Sequence, residues 1–154
     1  MAVLQLALAR GSDLLAGVIY APALDEMFEA SKGNGAKLNG KPIRVAANSK
    51  PHQALIATDW PHEPELRTST VNRFLRKYEN SFRYSHMLGT AAISLAYVSC
   101  GRLHAYCHTG LKLWDVAAGA CLISEAGGKL YNWDRSAWTL KAGEVIATNG
   151  QFPL

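Results

Sequence analysis

The sequence lacks most features that announce a specialised chain. Its three cysteines, Cys100, Cys107 and Cys121, are an odd number with no C-x-x-C pair. That argues against a disulfide framework and for a reducing cytoplasm. The net charge of +4 comes from scattered basic residues without a run, so neither nucleic acid nor an anionic membrane is indicated as a partner. The longest early apolar stretch, "AVLQLALA", has no basic segment before it and falls far short of the roughly 18–20 residues that span a bilayer. There is no G-x-x-x-x-G-K-[ST] loop, no G-x-S-x-G elbow, no repeat and no low-complexity segment. P-loop nucleotide hydrolysis and serine-elbow chemistry are therefore unsupported.

What is present is an ordinary globular composition, 49% hydrophobic and 18% charged over 154 residues. That length suits one domain, or two small lobes sharing a core. Ala2, Leu4, Leu6 and Leu8 alternate with Val3, Gln5, Ala7 and Ala9, which is strand periodicity. "GSD" at 11–13 turns the chain, and "LLAGVIY" at 14–20 returns it as a hairpin. "MFEA" and "IRVA" are further strands. Two Asn-Gly pairs, Asn34-Gly35 and Asn39-Gly40, suit turns with positive φ. Residues 1–47 thus read as antiparallel sheet. From 53 onward strands and helices alternate, giving an α/β lobe over 53–154 and, with the first part, one compact α+β layered sandwich. The predicted elements there are "ALIATD", a helix with Val71, Phe74, Leu75 and Tyr78 on one face, "FRYS", a buried helix "GTAAISLAYVSC" ended by Gly101, "LHAYCH", a second buried helix "DVAAGACLISEA" closed by Gly127-Gly128, then "KLYNW" and "EVIAT".

Three stretches carry a resemblance: "GVIYAPALDEMFEASKGNGAKLNGKPIRV" (17–45), "LGTAAISLAYVSCGRLHAY" (88–106) and "WDVAAGACLISEAGG" (114–128). Together they are similar to the C-terminal part of the inositol monophosphatase family, the magnesium-dependent, lithium-sensitive phosphatases. The resemblance implies a truncated form of that fold. In the family, N-terminal helices, a metal-binding glutamate and a "DPxDGT"-type motif precede the strand that Met1 opens here, and none of these is in the sequence. Of the family's metal ligands only the aspartate of "WD", Asp115, carries over, so the resemblance implies Mg2+ with an incomplete site. It also places Gly89 and Thr90 on the side that binds a sugar or polyol. His108 falls where animal members carry a glutamate that contacts inositol, which puts inositol specificity in doubt.

The residues themselves leave alternatives open. Asp115 at a helix start reads as an N-cap as readily as a magnesium ligand, because magnesium needs several oxygens and one carboxylate supplies few. The other acids, Asp13, Asp25, Asp59 and Asp134 among them, show no clustered spacing. Gly89 and Thr90 either offer free N–H groups to an anion or hydroxyl, or simply cap the helix. His104, Tyr106 and His108 share one strand face with Cys107 on the other, which argues against zinc. The small residues Ala117 to Ala120 admit another backbone at close range.

Two functions follow. One is a phosphomonoester hydrolase of the inositol monophosphatase type, inactive as an isolated chain, acting on an inositol phosphate or related sugar or polyol phosphate. The other is a non-catalytic oligomeric scaffold or small-ligand binder from that family. No residue is assigned a catalytic role. In either case Leu4, Leu6, Leu8 and strand 14–20 form an uncovered apolar face, which predicts a homo-oligomer or pairing with a separate N-terminal half.

Overall fold

A computed structural model describes residues 2–47, 50–70, 73, 82–141 and 143–151. Within them the alternation of the first half becomes an antiparallel meander: β1 (Leu4–Arg10), β2 (Asp13–Ala21), β3 (Glu26–Ser31), β4 (Ala36–Leu38) and β5 (Lys41–Ile43), in that spatial order. Asn39 and Gly40 both take positive φ, 48° and 75°, closing the β4–β5 hairpin as an Asn-Gly turn should. At the other pair the positive φ belongs to Gly33 and Gly35 rather than to Asn34. The strand expected over "IRVA" (43–46) forms instead over Lys41–Ile43 and shares only Ile43 with it, because the tight turn sets the register and β4 offers only three partners. The chain then leaves the sheet, and the Val45 N–H donates to the Ala126 carbonyl at 3.2 Å.

The second half builds a mixed sheet in the order β7-β6-β8-β10-β9, with β6 (Leu55–Thr58), β7 (Tyr84–His86), β8 (Ala105–Thr109), β9 (Lys129–Tyr131) and β10 (Glu144–Thr148). β6 runs parallel to both neighbours and β10 antiparallel to both of its own. Three α-helices are described: α1 (Pro64–Thr70), α2 (Ala91–Ser99) and α3 (Leu113–Glu125). The expected helical face of Val71, Phe74, Leu75 and Tyr78 lies outside the described residues.

The layers are sheet, helix, sheet. Ile19 and Phe28 of the meander pack on Ile93 and Leu122 of α2 and α3. The opposite sides of those helices, through Leu95, Val98, Val116 and Ile123, meet Ala57, Tyr106, Val145 and Ala147 of the mixed sheet. Both helices are therefore buried almost all round, which explains their even apolarity. The small residues of α3 make the close approach possible. A Cβ on Gly119 would lie 2.5 Å from the Cβ of Leu95 on α2, and a Cβ on Gly17 of β2 would lie 2.6 Å from the Ala118 carbonyl oxygen.

His104 has a structural task. Its Nδ1 accepts the Leu55 N–H at 3.1 Å, and its carbonyl accepts the Asn149 N–H at 3.0 Å, tying β6 and the end of β10 to the start of β8. Burial lowers its pKa below the ordinary 6.5, and the Leu55 bond requires an unprotonated Nδ1. A histidine with a depressed folded pKa takes up its proton more readily when unfolded, so its contribution is complete above the ordinary value and lost as pH falls through it. Burial shifts His108 the same way. Urea midpoints are expected to fall as pH drops from 7.5 towards 5.5, and His104→Gln is expected to flatten part of that slope. A slope unchanged by the substitution removes His104 from the account.

Candidate ligand-binding site

Four chain segments converge on one cavity of about 510 Å3. They are the ends of β6 and β8 and the starts of α2 and α3. Ligands of α/β sheets favour this kind of place, the carboxyl ends of parallel strands facing helix N-termini. Gly89, Thr90, His108 and Asp115, separately singled out in the sequence, all line it.

Thr90 is the N-cap residue of α2, in extended conformation, yet its side chain makes no capping bond. The capping expected of Thr90 is thus absent. Gly89 before it has φ 72°, a left-handed conformation that glycine takes without strain. Its N–H donates to Asp59 Oδ1 at 2.7 Å. Asp115 is not the N-cap of α3, contrary to one sequence expectation. The helix begins two residues earlier, with Lys112 at the cap position and Asp115 in the third helical position. From there Asp115 Oδ2 reaches back to accept the Lys112 N–H at 2.8 Å, satisfying a backbone donor at a helix end. Trp114 beside it is 72% exposed, so it does not screen the carboxylate by burial in the core.

Asp59 is the residue the sequence did not reveal. It follows β6 and enters the same cavity as Asp115, so the acids are not all dispersed. Its Oδ2 accepts the Tyr106 hydroxyl at 3.3 Å while Oδ1 holds Gly89. Burial, reinforced by Asp59, keeps the Tyr106 phenol well above its ordinary pKa, so it remains a donor. Tyr106 and His108 project from the same face of β8 with nearly parallel rings, 17° between planes and 6.2 Å between centroids. His108 is buried, and its Nδ1 has no hydrogen-bond partner among the described residues. Burial depresses its pKa against the opposing pull of Asp59, so the ring is neutral at pH 7. Gln5 of β1 also borders the cavity. The signal for Asp59 was present but weak: it is the first acid after a short buried strand.

The polar groups fit a hydroxylated ligand: a neutral imidazole, a carboxylate, a glycine turn and an uncommitted threonine at a helix start. They do not make a magnesium site by themselves. Among the described residues no three histidine, cysteine, aspartate or glutamate side chains group to hold a metal ion. Asp115 and Asp59 each already accept backbone N–H bonds. Magnesium takes near-octahedral oxygen coordination, and two-metal phosphoryl chemistry takes several carboxylates.

Residues 1–153 match the pattern of the inositol monophosphatase family. The chain belongs to that family. An inositol-1-monophosphatase from Mesorhizobium japonicum is 38% identical over 145 residues, covering 94% of this chain and 54% of the relative. Among solved structures, inositol monophosphatase from Anabaena superposes with a TM-score of 0.83 at 33% identity, over 90% of this chain and 55% of that one. The extragenic suppressor protein suhB from Bartonella henselae gives 0.87 at 33%, over 97% and 59%. The mixed α/β fold with two sheets is thus an inositol monophosphatase fold, and the chain spans about half the length of the relatives it matches. No helix among the described residues is long and apolar enough to cross a membrane.

Proposed function

We propose that these 154 residues form the ligand-binding side of an inositol-monophosphatase-type site, and that they bind a small sugar or polyol phosphate without hydrolysing it. The observation that carries this reading is the convergence of Gly89, Thr90, His108 and Asp115 on a single cavity. Thr90 and His108 would contact ligand hydroxyls. Asp115 would contribute one oxygen to a magnesium ion whose remaining protein ligands these residues do not supply. Magnesium, when bound in a complete site, would supply charge neutralisation for a phosphoryl group. A cytoplasmic setting agrees with three free thiols, each pushed above its ordinary pKa by burial and so chemically quiet.

The test has two arms. Titration with inositol 1-phosphate and magnesium, followed by NMR, is expected to move the amide signals of Gly89 and Thr90. His108→Ala is expected to weaken binding roughly five- to tenfold, the worth of one hydrogen bond of about 1 kcal/mol or slightly more. Phosphate release from the same compound is expected to stay at background with and without Asp115→Asn. Magnesium-dependent turnover abolished by Asp115→Asn would restore the hydrolase reading for this chain. Unmoved amides would remove the binding site.

One observation favours a second reading, a non-catalytic scaffold. A relative from Haemophilus influenzae, 35% identical over 85% of this chain and 49% of its own length, is named a Nus factor rather than a phosphatase. Family membership therefore does not assign hydrolysis, and absence of both binding and turnover would favour this alternative.

A further inference from the structure

Tyr106 has one proton to give, and Asp59 takes it. The phenol donates to Asp59 Oδ2 at 3.3 Å, and burial beside that carboxylate keeps it protonated. Its oxygen therefore meets a ligand only as an acceptor. Asp59 Oδ1 receives the Gly89 N–H at 2.7 Å, and each carboxylate oxygen has room for a second bond. His108, on the same face of β8, is 6% exposed, and its Nδ1 has no hydrogen-bond partner among the described residues. The ring is neutral at pH 7, so one of its nitrogens also accepts. All three side chains line the same cavity, and no lysine or arginine is among the described residues that line it.

From these observations we infer that the ligand is the phosphate ester of an aminated sugar or polyol, its protonated amine seated against Asp59, Tyr106 and His108. The inference rests on the reading of this cavity as a sugar- or polyol-phosphate site, and it narrows the class. This wall accepts hydrogen bonds and carries negative charge. A hydroxyl offers it one proton, whereas an ammonium offers three N–H donors and the opposite charge. Bonds between ionised partners are shorter and stronger than neutral ones. A buried imidazole nitrogen without a partner is costly, and a ligand donor removes that cost. Asp59 is half-buried, so an ammonium beside it keeps part of its hydration, which limits the penalty for burying a charge. The same carboxylate repels a phosphoryl group and so turns that group to the other end of the ligand. Asp59 thereby sets specificity as well as holding Gly89 in place.

Isothermal titration at about pH 7, where such an amine is largely protonated, compares three sugar phosphates with magnesium present throughout. Glucosamine 6-phosphate carries an ammonium where glucose 6-phosphate carries a hydroxyl and N-acetylglucosamine 6-phosphate a neutral amide. The first is expected to bind roughly tenfold tighter than the second, the excess of a charge-assisted bond over a neutral one. The acetylated sugar is expected to bind weakest. Asp59→Asn keeps the size of the side chain and one acceptor oxygen but removes the charge, and is expected to bring the ratio of the first two close to one. The wild-type ratio decides by itself if that variant does not fold. A wild-type ratio of one or less overturns the inference, as does a tenfold preference that survives Asp59→Asn at an unchanged melting temperature. Inositol 1-phosphate bound without any preference for the amine overturns this inference alone and leaves the proposed function standing. Failure of inositol 1-phosphate and of all three sugars removes both.

Discussion

Gly119→Val is expected to cost about 3 kcal/mol, the upper range for forcing extra carbons into a packed core, and to lower the melting temperature by roughly 10 °C for a chain of this size. The reason is the crossing of α2 and α3 in the middle layer. A Cβ at position 119 meets the Cβ of Leu95 at 2.5 Å and its Cδ1 at 2.7 Å. Leu95 has nowhere to withdraw, being fully buried with Val98 and Val116 beside it. Helix propensity pulls the other way, since glycine inside a helix costs about 1 kcal/mol relative to alanine. Gly119→Ala is therefore the sharper variant: the gain in propensity is set against the clash, and the clash is expected to win by about 1 kcal/mol. Pairing it with Leu95→Ala should make the two changes only partly non-additive, because alanine removes the Cδ1 and Cγ that lie 2.7 and 3.1 Å from the new methyl group but keeps the Cβ at 2.5 Å. Additive effects, or a Gly119→Ala protein as stable as the wild type in urea, would mean the helices are free to separate.

Glu125→Ala is expected to destabilise by about 2 kcal/mol, and Glu125→Gln by about half of that. Glu125 ends α3, where the helix dipole disfavours a carboxylate. Its two oxygens nonetheless accept the N–H groups of Gly33 and Gly35 at 3.0 and 2.9 Å, in the turn between β3 and β4. Hydrogen bonds to a charged acceptor contribute about 1.5–3 kcal/mol each when well buried, and partial exposure reduces that here. Glutamine keeps one of the two acceptors, hence the intermediate value. Amide exchange at Gly33 and Gly35 should accelerate in both variants, most in the alanine. Retained protection at both amides would show that the turn holds its own shape.

Much of this architecture was legible because it depends on local period. The alternation of Leu4, Leu6 and Leu8 against Gln5 and Ala7 gave β1 its two faces, and Asn39-Gly40 gave a turn with the required backbone. The small residues Ala117 to Ala120 foretold a close approach, though not the partner, Leu95, which belongs to another helix. Family resemblance supplied the importance of Gly89, Thr90, His108 and Asp115, and the fold brings all four to one cavity. Asp59 was missed because its role is made entirely by tertiary contact, with a glycine and a tyrosine distant in sequence. The position of Asp115 was off by one helical turn because Leu113 and Trp114, both exposed, carry no signal that the helix has begun. His104 had no assignable role until the Leu55 amide was found on its ring.

β1 also carries an obligation of fidelity. Its pleat turns Leu4 and Leu6 outward and Gln5 inward, and pairing with β2 holds that phase from Leu4↔Tyr20 to Leu8↔Ala16. A slip of one residue along β2 would send leucine into the ligand cavity and leave glutamine stranded outside. The irregularity between Leu8 and Ala9 lies beyond that stretch, near the hairpin, where a misalignment can be absorbed before it reaches Gln5. Correct threading of one short ribbon thereby governs two distinct surfaces at once.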